Sequence, residues 1–143
     1  MQNSKIEIFV PRKGKAQMIP LFTVSASCSF PSPAEDYIET TLDLNEYLVK
    51  SPLATFFVRV NGNSMKDANI FEGDILIVDR SKNPKNGNIV LAVVNGDFTV
   101  KSYKKEKDLL YLIPANPLYK PLLITTEMDF KVWGVVTYII HKA

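Results

Sequence analysis

The sequence is short of the side chains that most catalytic and metal sites use. Among 143 residues there is one cysteine, Cys28, and one histidine, His141. A single cysteine excludes an internal disulfide and a cysteine zinc cluster. A Ser-His-Asp triad would depend on His141, which we instead place at a surface or edge position. No glycine loop matches a phosphate cradle, so we expect no cofactor and no metal.

Long apolar runs and a strong charge imbalance are also missing. No stretch approaches the roughly 18 apolar residues of a membrane span. The opening MQNSKIEIFVPRKGK lacks the apolar centre of a signal peptide. The formal net charge is only +2, from 17 basic and 15 acidic residues, so we expect little direct DNA binding. These absences predict a cytoplasmic protein that makes no membrane contact.

Residues 1–42 differ in composition from the rest of the chain. They hold four prolines and the small polar run SASCS at 25–29, which disfavour regular structure. We predict an extended N-terminal arm over 1–42, with one short extended segment around Ile6–Val10. A β-rich domain is predicted over 43–143.

The pattern after residue 42 is mainly that of short strands. DLNEYLVKSP at 43–52 predicts one short helix, since Asp43 can cap it and Glu46 occupies the capping-box position. From residue 54, runs rich in aromatic and β-branched residues alternate with Gly, Pro and Asn turns. Asn95-Gly96 between two such runs indicates a two-residue hairpin. The predicted fold class is therefore mainly β.

Ser64 stands in the tight stretch VNGNSMKD at 60–67, which has two interpretations. Gly62 and Asn63 tolerate positive φ, and a serine hydroxyl can bond back to the chain, which describes an ordinary turn. Alternatively, Ser64 is a nucleophile held on a bend. Such a serine needs a base, and in the absence of a suitable histidine a lysine can serve if burial depresses its pKa.

Lys101 is the candidate for that base. It lies in DFTVKSY, just after the predicted hairpin turn, on the same strand face as Thr99 and Tyr103. By spacing alone, a lysine on the solvent face of an antiparallel sheet explains the pattern more simply. The local sequence does not show whether Lys101 reaches Ser64.

From about Pro20 to Ala143 the chain resembles the UmuD branch of the LexA-like self-cleaving serine peptidases. The motifs occur in family order: CSFPSPAEDYIE, DLNEYLVKSPLATFFVRVNGNSMKDANIFEGDILIVD, GNIVLAVVNGDFTVKSY, LIPANPLYKPLLI and WGVVTYII. Ser64 and Lys101 lie 37 positions apart, as in that family. The resemblance implies the LexA-like peptidase fold of short, strongly curved antiparallel sheets with one short helix, preceded by an extended arm.

The same resemblance implies an activity and partners. Ser64 would be the nucleophile and Lys101 the general base, with the backbone N–H groups of Asn63 and Ser64 as oxyanion donors. The bond cut would be Cys28-Ser29 in the protein's own arm. Such proteins are homodimers of the SOS response that cleave themselves when RecA is assembled on single-stranded DNA. The shortened form joins UmuC in an error-prone translesion DNA polymerase.

One departure keeps other functions open. The family usually has a small residue followed by Gly at this bond, whereas Ser29 follows Cys28 here. A non-cleaving LexA-like module that regulates a polymerase or transcription partner is therefore the alternative. Only 27 residues precede Cys28, and they contain no pair of amphipathic helices, which disfavours a repressor with its own helix-turn-helix. Nothing near Cys28 in sequence would lower its pKa and make it a reactive thiol.

Overall fold

The computed structural model describes residues 7–12, 14–22 and 38–143. The chain divides into two compact units, one formed by Met1–Pro11 with Ser51–Ala143 and the other by Arg12–Lys50, as far as these are described. The predicted division into an arm over 1–42 and a domain over 43–143 stays a prediction. The bond Cys28-Ser29 lies outside the described residues.

The described ranges contain ten strands and one short α-helix. In chain order the elements are β1 (Glu7–Phe9), β2 (Ile19–Phe22), β3 (Ile38–Leu42), α1 (Leu44–Leu48), β4 (Thr55–Arg59), β5 (Ile75–Asp79), β6 (Ile89–Val94), β7 (Asp97–Glu106), β8 (Leu109–Ile113), β9 (Leu122–Ile124) and β10 (Phe130–Ile140). Short 3-10 turns occur at Pro52–Ala54 and Lys66–Ala68. The prediction of a mainly β fold with one short helix is confirmed.

The first unit is an eight-stranded sheet in the order β1-β4-β5-β10-β6-β7-β8-β9. All of its neighbouring strands are antiparallel. The long strand β10 changes register between Val132 and Gly134 and again between Val136 and Tyr138. Bulges of this kind bend a strand and increase its twist. A Cβ at Gly134 would lie 2.7 Å from Val78 Cγ1, so only glycine fits this close approach without a shift.

The main core cluster of the first unit links the segment after β4 to strand β7. Met65 and Ile70, which flank the 3-10 turn at Lys66–Ala68, are 2% and 0% exposed. Trp133 meets Phe98 of β7 edge-on, with ring centroids 4.9 Å apart. Because buried side chains anchor both segments, the residues between Arg59 and Lys66 are held close to β7.

The second unit contains the two-stranded antiparallel sheet of β2 and β3, followed by α1. Asp43 caps α1 as predicted, because its Oδ1 accepts the Asn45 N–H at 3.2 Å. The helix is only five residues long and ends at Leu48, before the predicted limit at 52.

The sequence predicted one extended segment in 1–42, which is fewer than the structure contains. β1 confirms the segment around Ile6–Val10, but β2 and β3 also lie within this range. Pro20 was given too much weight as a breaker of regular structure. Pro20 pairs with Thr41, and in a two-stranded sheet each strand has an open side where a missing N–H breaks no ladder.

Candidate active site

Ser64 lies in a tight turn after β4, as the local sequence predicted. Gly62 has φ of 95°, and the Lys66 N–H donates to the Asn63 carbonyl at 3.2 Å. Ser64 and Met65 are therefore the two central residues of this turn, residues 63–66, which we call the serine turn. Because Met65 is buried in the core beneath it, the turn is anchored and Ser64 is half-buried.

Lys101 on β7 contacts Ser64 directly. Its Nζ lies 2.9 Å from Ser64 Oγ, 2.8 Å from Thr99 Oγ1 and 3.1 Å from the Val100 carbonyl oxygen. The side chain therefore points to the face that the serine turn covers and not to solvent. This contact is the one that local sequence could not show. The role of Thr99 was also missed, although strand alternation had placed it on the same face as Lys101.

The environment of Lys101 favours its neutral form. Burial lowers the pKa of Lys101 from 10.5 to about 8. An amine with this pKa is about 9% neutral at pH 7, whereas one at 10.5 is about 0.03% neutral. Burial therefore increases the fraction able to accept a proton by roughly 300-fold.

The loop between β8 and β9 forms hydrogen bonds to the serine turn. The Ala115 N–H donates to the Ser64 carbonyl at 2.9 Å, and the Asn116 Nδ2 donates to the Asn63 carbonyl at 2.9 Å. The Tyr119 hydroxyl is 3.2 Å from Asn63 Oδ1. Sequence reasoning treated this segment only as part of the motif LIPANPLYKPLLI. The one local signal was Asn116 itself, an asparagine among prolines. That pattern does not specify Asn63, 53 positions away, as its partner.

A groove of about 440 Å³ lies beside the two side chains. Its lining includes Asn61, Gly62, Asn63, Ser64, Phe98, Thr99, Lys101, Tyr119, Leu122 and Met128. The neighbouring part of β7 has an open side. β6 pairs with residues 97–102 of β7, but β8 pairs only with residues 102–106. Among the described residues no strand pairs with the other side of 97–101, so an extended peptide could add there.

His141 lies away from this groove. Its Nδ1 is 2.6 Å from Oδ1 of the buried Asp74. Within the described ranges, no group of three or more His, Cys, Asp or Glu side chains is arranged to hold a metal. The same ranges contain no helix long and apolar enough to cross a membrane.

Replacement of Lys101 should stabilise the protein at neutral pH. In a Ser64→Ala background, we expect Lys101→Met to raise the free energy of unfolding at pH 7 by about 1–3 kcal/mol, because folding no longer buries a charge. Folding lowers the pKa of Lys101 from 10.5 to about 8. Below pH 8 the folded protein therefore carries the full free-energy cost of burying the charged amine. The penalty disappears as the pH rises to about 10.5, because the unfolded state binds more protons in that interval.

Urea unfolding of the two variants at about pH 7 and pH 10 measures this effect. The Ser64→Ala protein should gain stability relative to Ser64→Ala/Lys101→Met as the pH rises. An equal pH dependence in both would show that Lys101 keeps an ordinary pKa in the folded state.

The contact between Ser64 and the partly buried Lys101, beside an open groove, matches the arrangement of serine peptidases that use lysine in place of histidine. A family model described as Peptidase S24-like matches residues 20–137. Protein SamA of Salmonella typhimurium is 47% identical over 123 residues, which cover 86% of this chain and 85% of SamA. Protein ImpA of Escherichia coli is 40% identical over 86% of this chain and 83% of its own. Protein MucA of Escherichia coli is 38% identical over 94% of this chain and 92% of its own.

The chain therefore belongs to the Peptidase S24-like family, and within it to the UmuD-type SOS mutagenesis proteins. This confirms the resemblance found in the sequence and places the chain in a family of self-cleaving serine peptidases.

Proposed function

We propose that the protein cleaves its own N-terminal arm at Cys28-Ser29, with Ser64 as nucleophile and Lys101 as general base. The observation that carries this proposal is the 2.9 Å contact between Lys101 Nζ and Ser64 Oγ. The lowering of the Lys101 pKa to about 8 supports it, because the base must be neutral to act. The choice of bond rests on the family resemblance.

The chemistry proceeds in two stages. Neutral Lys101 takes the hydroxyl proton as Ser64 Oγ bonds to the carbonyl carbon of Cys28. Backbone N–H groups of Asn63 and Ser64 stabilise the oxyanion. The C–N bond then breaks, and Lys101 gives its proton to the nitrogen of Ser29. A water molecule, deprotonated by Lys101, attacks the resulting ester and releases Ser64 and a new carboxylate at Cys28.

Thr99 and Val100 orient the base. A neutral amine has two N–H bonds, which can be donated to Thr99 Oγ1 and to the Val100 carbonyl. Its lone pair is then directed at the third neighbour, the hydroxyl of Ser64. The three contacts of Nζ thus fit proton transfer from serine to lysine.

The groove suits a substrate supplied by the chain itself. The open side of residues 97–101 can pair with an extended segment, and small side chains such as Ala26 and Cys28 suit a shallow site. A bond delivered from the same molecule or from a dimer partner has a high effective concentration. Tight binding of the arm is therefore not needed for cleavage.

The biological setting follows from the family. We propose a cytoplasmic homodimer whose cleavage is stimulated by RecA on single-stranded DNA. The shortened form, residues 29–143, would then join a UmuC-type translesion polymerase. The alternative of a non-cleaving interaction module is favoured by one observation, the serine at position 29 where relatives of this type usually have glycine.

Intact-mass measurement after incubation at alkaline pH tests the proposal. Without RecA, the purified protein should convert slowly to two fragments, residues 1–28 and 29–143. Ser29→Gly is the matched variant and should cleave faster at the same bond, since glycine adopts backbone angles that serine reaches only at a cost. An intact chain after long incubation, both alone and with RecA filament, would favour the interaction module. Fragments from another bond would correct the cleavage site.

A further inference from the structure

We propose that Asn116 and Tyr119 are positioning residues that aim the backbone N–H of Ser64 at the scissile carbonyl. This inference rests on the proposed self-cleavage and adds a group of side chains that do not touch the reacting atoms. Both residues lie in the loop 115–119, between β8 and β9, and both bond to Asn63, the residue before the nucleophile.

Four hydrogen bonds join the loop 115–119 to residues 63–67, which are the serine turn and the residue after it. Ala115 contributes two through its backbone, since its N–H donates to the Ser64 carbonyl at 2.9 Å and its carbonyl accepts the Asp67 N–H at 2.8 Å. Asn116 Nδ2 donates to the Asn63 carbonyl at 2.9 Å. The Tyr119 hydroxyl bonds Asn63 Oδ1 at 3.2 Å. Main chain and side chain of Asn63 are thus both held by one loop.

The bond from Asn116 determines where the Ser64 N–H points. The carbonyl of Asn63 and the N–H of Ser64 belong to the same planar trans peptide, in which they point in opposite directions. Because the carbonyl faces Asn116, the N–H faces away from it. Within the described part of the chain this N–H has no hydrogen-bond partner. It is therefore free to stabilise an oxyanion.

Asn116 is itself rigidly placed. The whole residue is only 4% exposed. Its Oδ1 accepts the Leu118 N–H at 3.0 Å, and its backbone carbonyl accepts the Tyr119 N–H at 3.0 Å. Buried amides that are satisfied at both ends keep one orientation. Asn116 can therefore keep the Ser64 peptide in one orientation while negative charge develops on the substrate carbonyl oxygen.

A comparison of three variants of the full chain tests this role. Asn116→Ala removes the donor to Asn63. Asn86→Ala is the matched control, since Asn86 bonds the backbone of Lys105 through both its Nδ2 and its Oδ1, away from the groove. Tyr119→Phe removes only a hydroxyl and keeps the ring, which gives a second test. The readouts are the first-order cleavage rate as a function of pH and the melting temperature.

For Asn116→Ala we expect the alkaline plateau rate to fall about 100-fold, as small misplacements of catalytic groups do. The midpoint of the pH profile should stay in place, because Asn116 makes no contact with Lys101 Nζ. Asn86→Ala should keep the plateau within about twofold, and Tyr119→Phe should lower it about fivefold, the effect of one hydrogen bond. The unchanged midpoint separates positioning of the N–H from a disturbed base.

A plateau for Asn116→Ala within about threefold of the parent would overturn the proposal. So would a shift of the pH midpoint large enough to explain the whole loss. If Asn116→Ala does not fold, Tyr119→Phe decides, and an unchanged plateau there overturns the proposal. A parent chain that never cleaves would instead overturn the proposed function and this role with it.

Discussion

Ser64→Ala and Lys101→Met should each abolish self-cleavage, with a fall in the first-order rate of at least about 10⁴-fold. Without Ser64 there is no nucleophile in contact with the base. Without Lys101, the Ser64 hydroxyl has lost the amine 2.9 Å from its Oγ, and no histidine is placed to replace it, since His141 is bonded to Asp74.

The double variant sharpens this prediction. Because the two side chains act in one proton transfer, Ser64→Ala/Lys101→Met should be no slower than either single variant. Lys104→Met is the matched control, since Lys104 lies on the same strand, is exposed and pairs with Glu106 at 3.7 Å. Its cleavage rate should equal that of the parent.

Intact-mass kinetics of the parent and the four variants measure these effects. A Lys101→Met variant that still cleaves at the parent rate would show that Lys101 is not the base. Cleavage by Ser64→Ala at the parent rate would show that Ser64 is not the nucleophile. Circular dichroism should show that every variant keeps the β-rich fold, so that a lost rate is not a lost structure.

The rate of self-cleavage should rise about tenfold per pH unit below pH 8 and level off above it. The cause is the lowered pKa of Lys101, about 8, which sets the fraction of neutral base. Between about pH 6 and pH 9 the neutral fraction, and with it the rate, increases roughly 90-fold. This is the second large effect that the structure predicts.

An ordinary lysine would give a different profile. With a pKa near 10.5, the rate would continue to rise tenfold per unit through about pH 10. The measurement is the first-order rate in buffers of constant ionic strength, with the Lys104→Met variant as control. A rate independent of pH over this range would show that proton removal by a lysine does not limit cleavage.

Local chemistry predicted the elements that depend on neighbours in sequence. The Asn95-Gly96 turn joins β6 and β7 as expected, with φ of 49° and 86° at its two residues, because few other pairs accept positive φ at both positions. Asp43 caps α1, which begins at Leu44, because its side chain accepts the N–H of a residue only two positions on. Alternation along β7 placed Lys101 on one face with Thr99.

Contacts between distant parts of the chain were beyond such reasoning. Asn116 and Asn63 are 53 positions apart, and nothing in either local pattern specifies that they meet. The pairing of β1 with β4, supported by Arg59 and Glu7 at 3.1 Å, is of the same kind. The partner of Ser64 became predictable only through the family resemblance, which carries long-range information that periodicity lacks.

The pKa of Lys101 itself decides whether this lysine can act as the base. Proteins labelled with ¹³C at lysine Cε, in the Ser64→Ala background that prevents cleavage, can be titrated by NMR. Lys101→Met assigns the signal by its loss. We expect the Lys101 signal to titrate near 8. A Lys101 signal that titrates near its ordinary value of 10.5 would contradict this mechanism, because the base at Ser64 would then be charged at the pH where it must act.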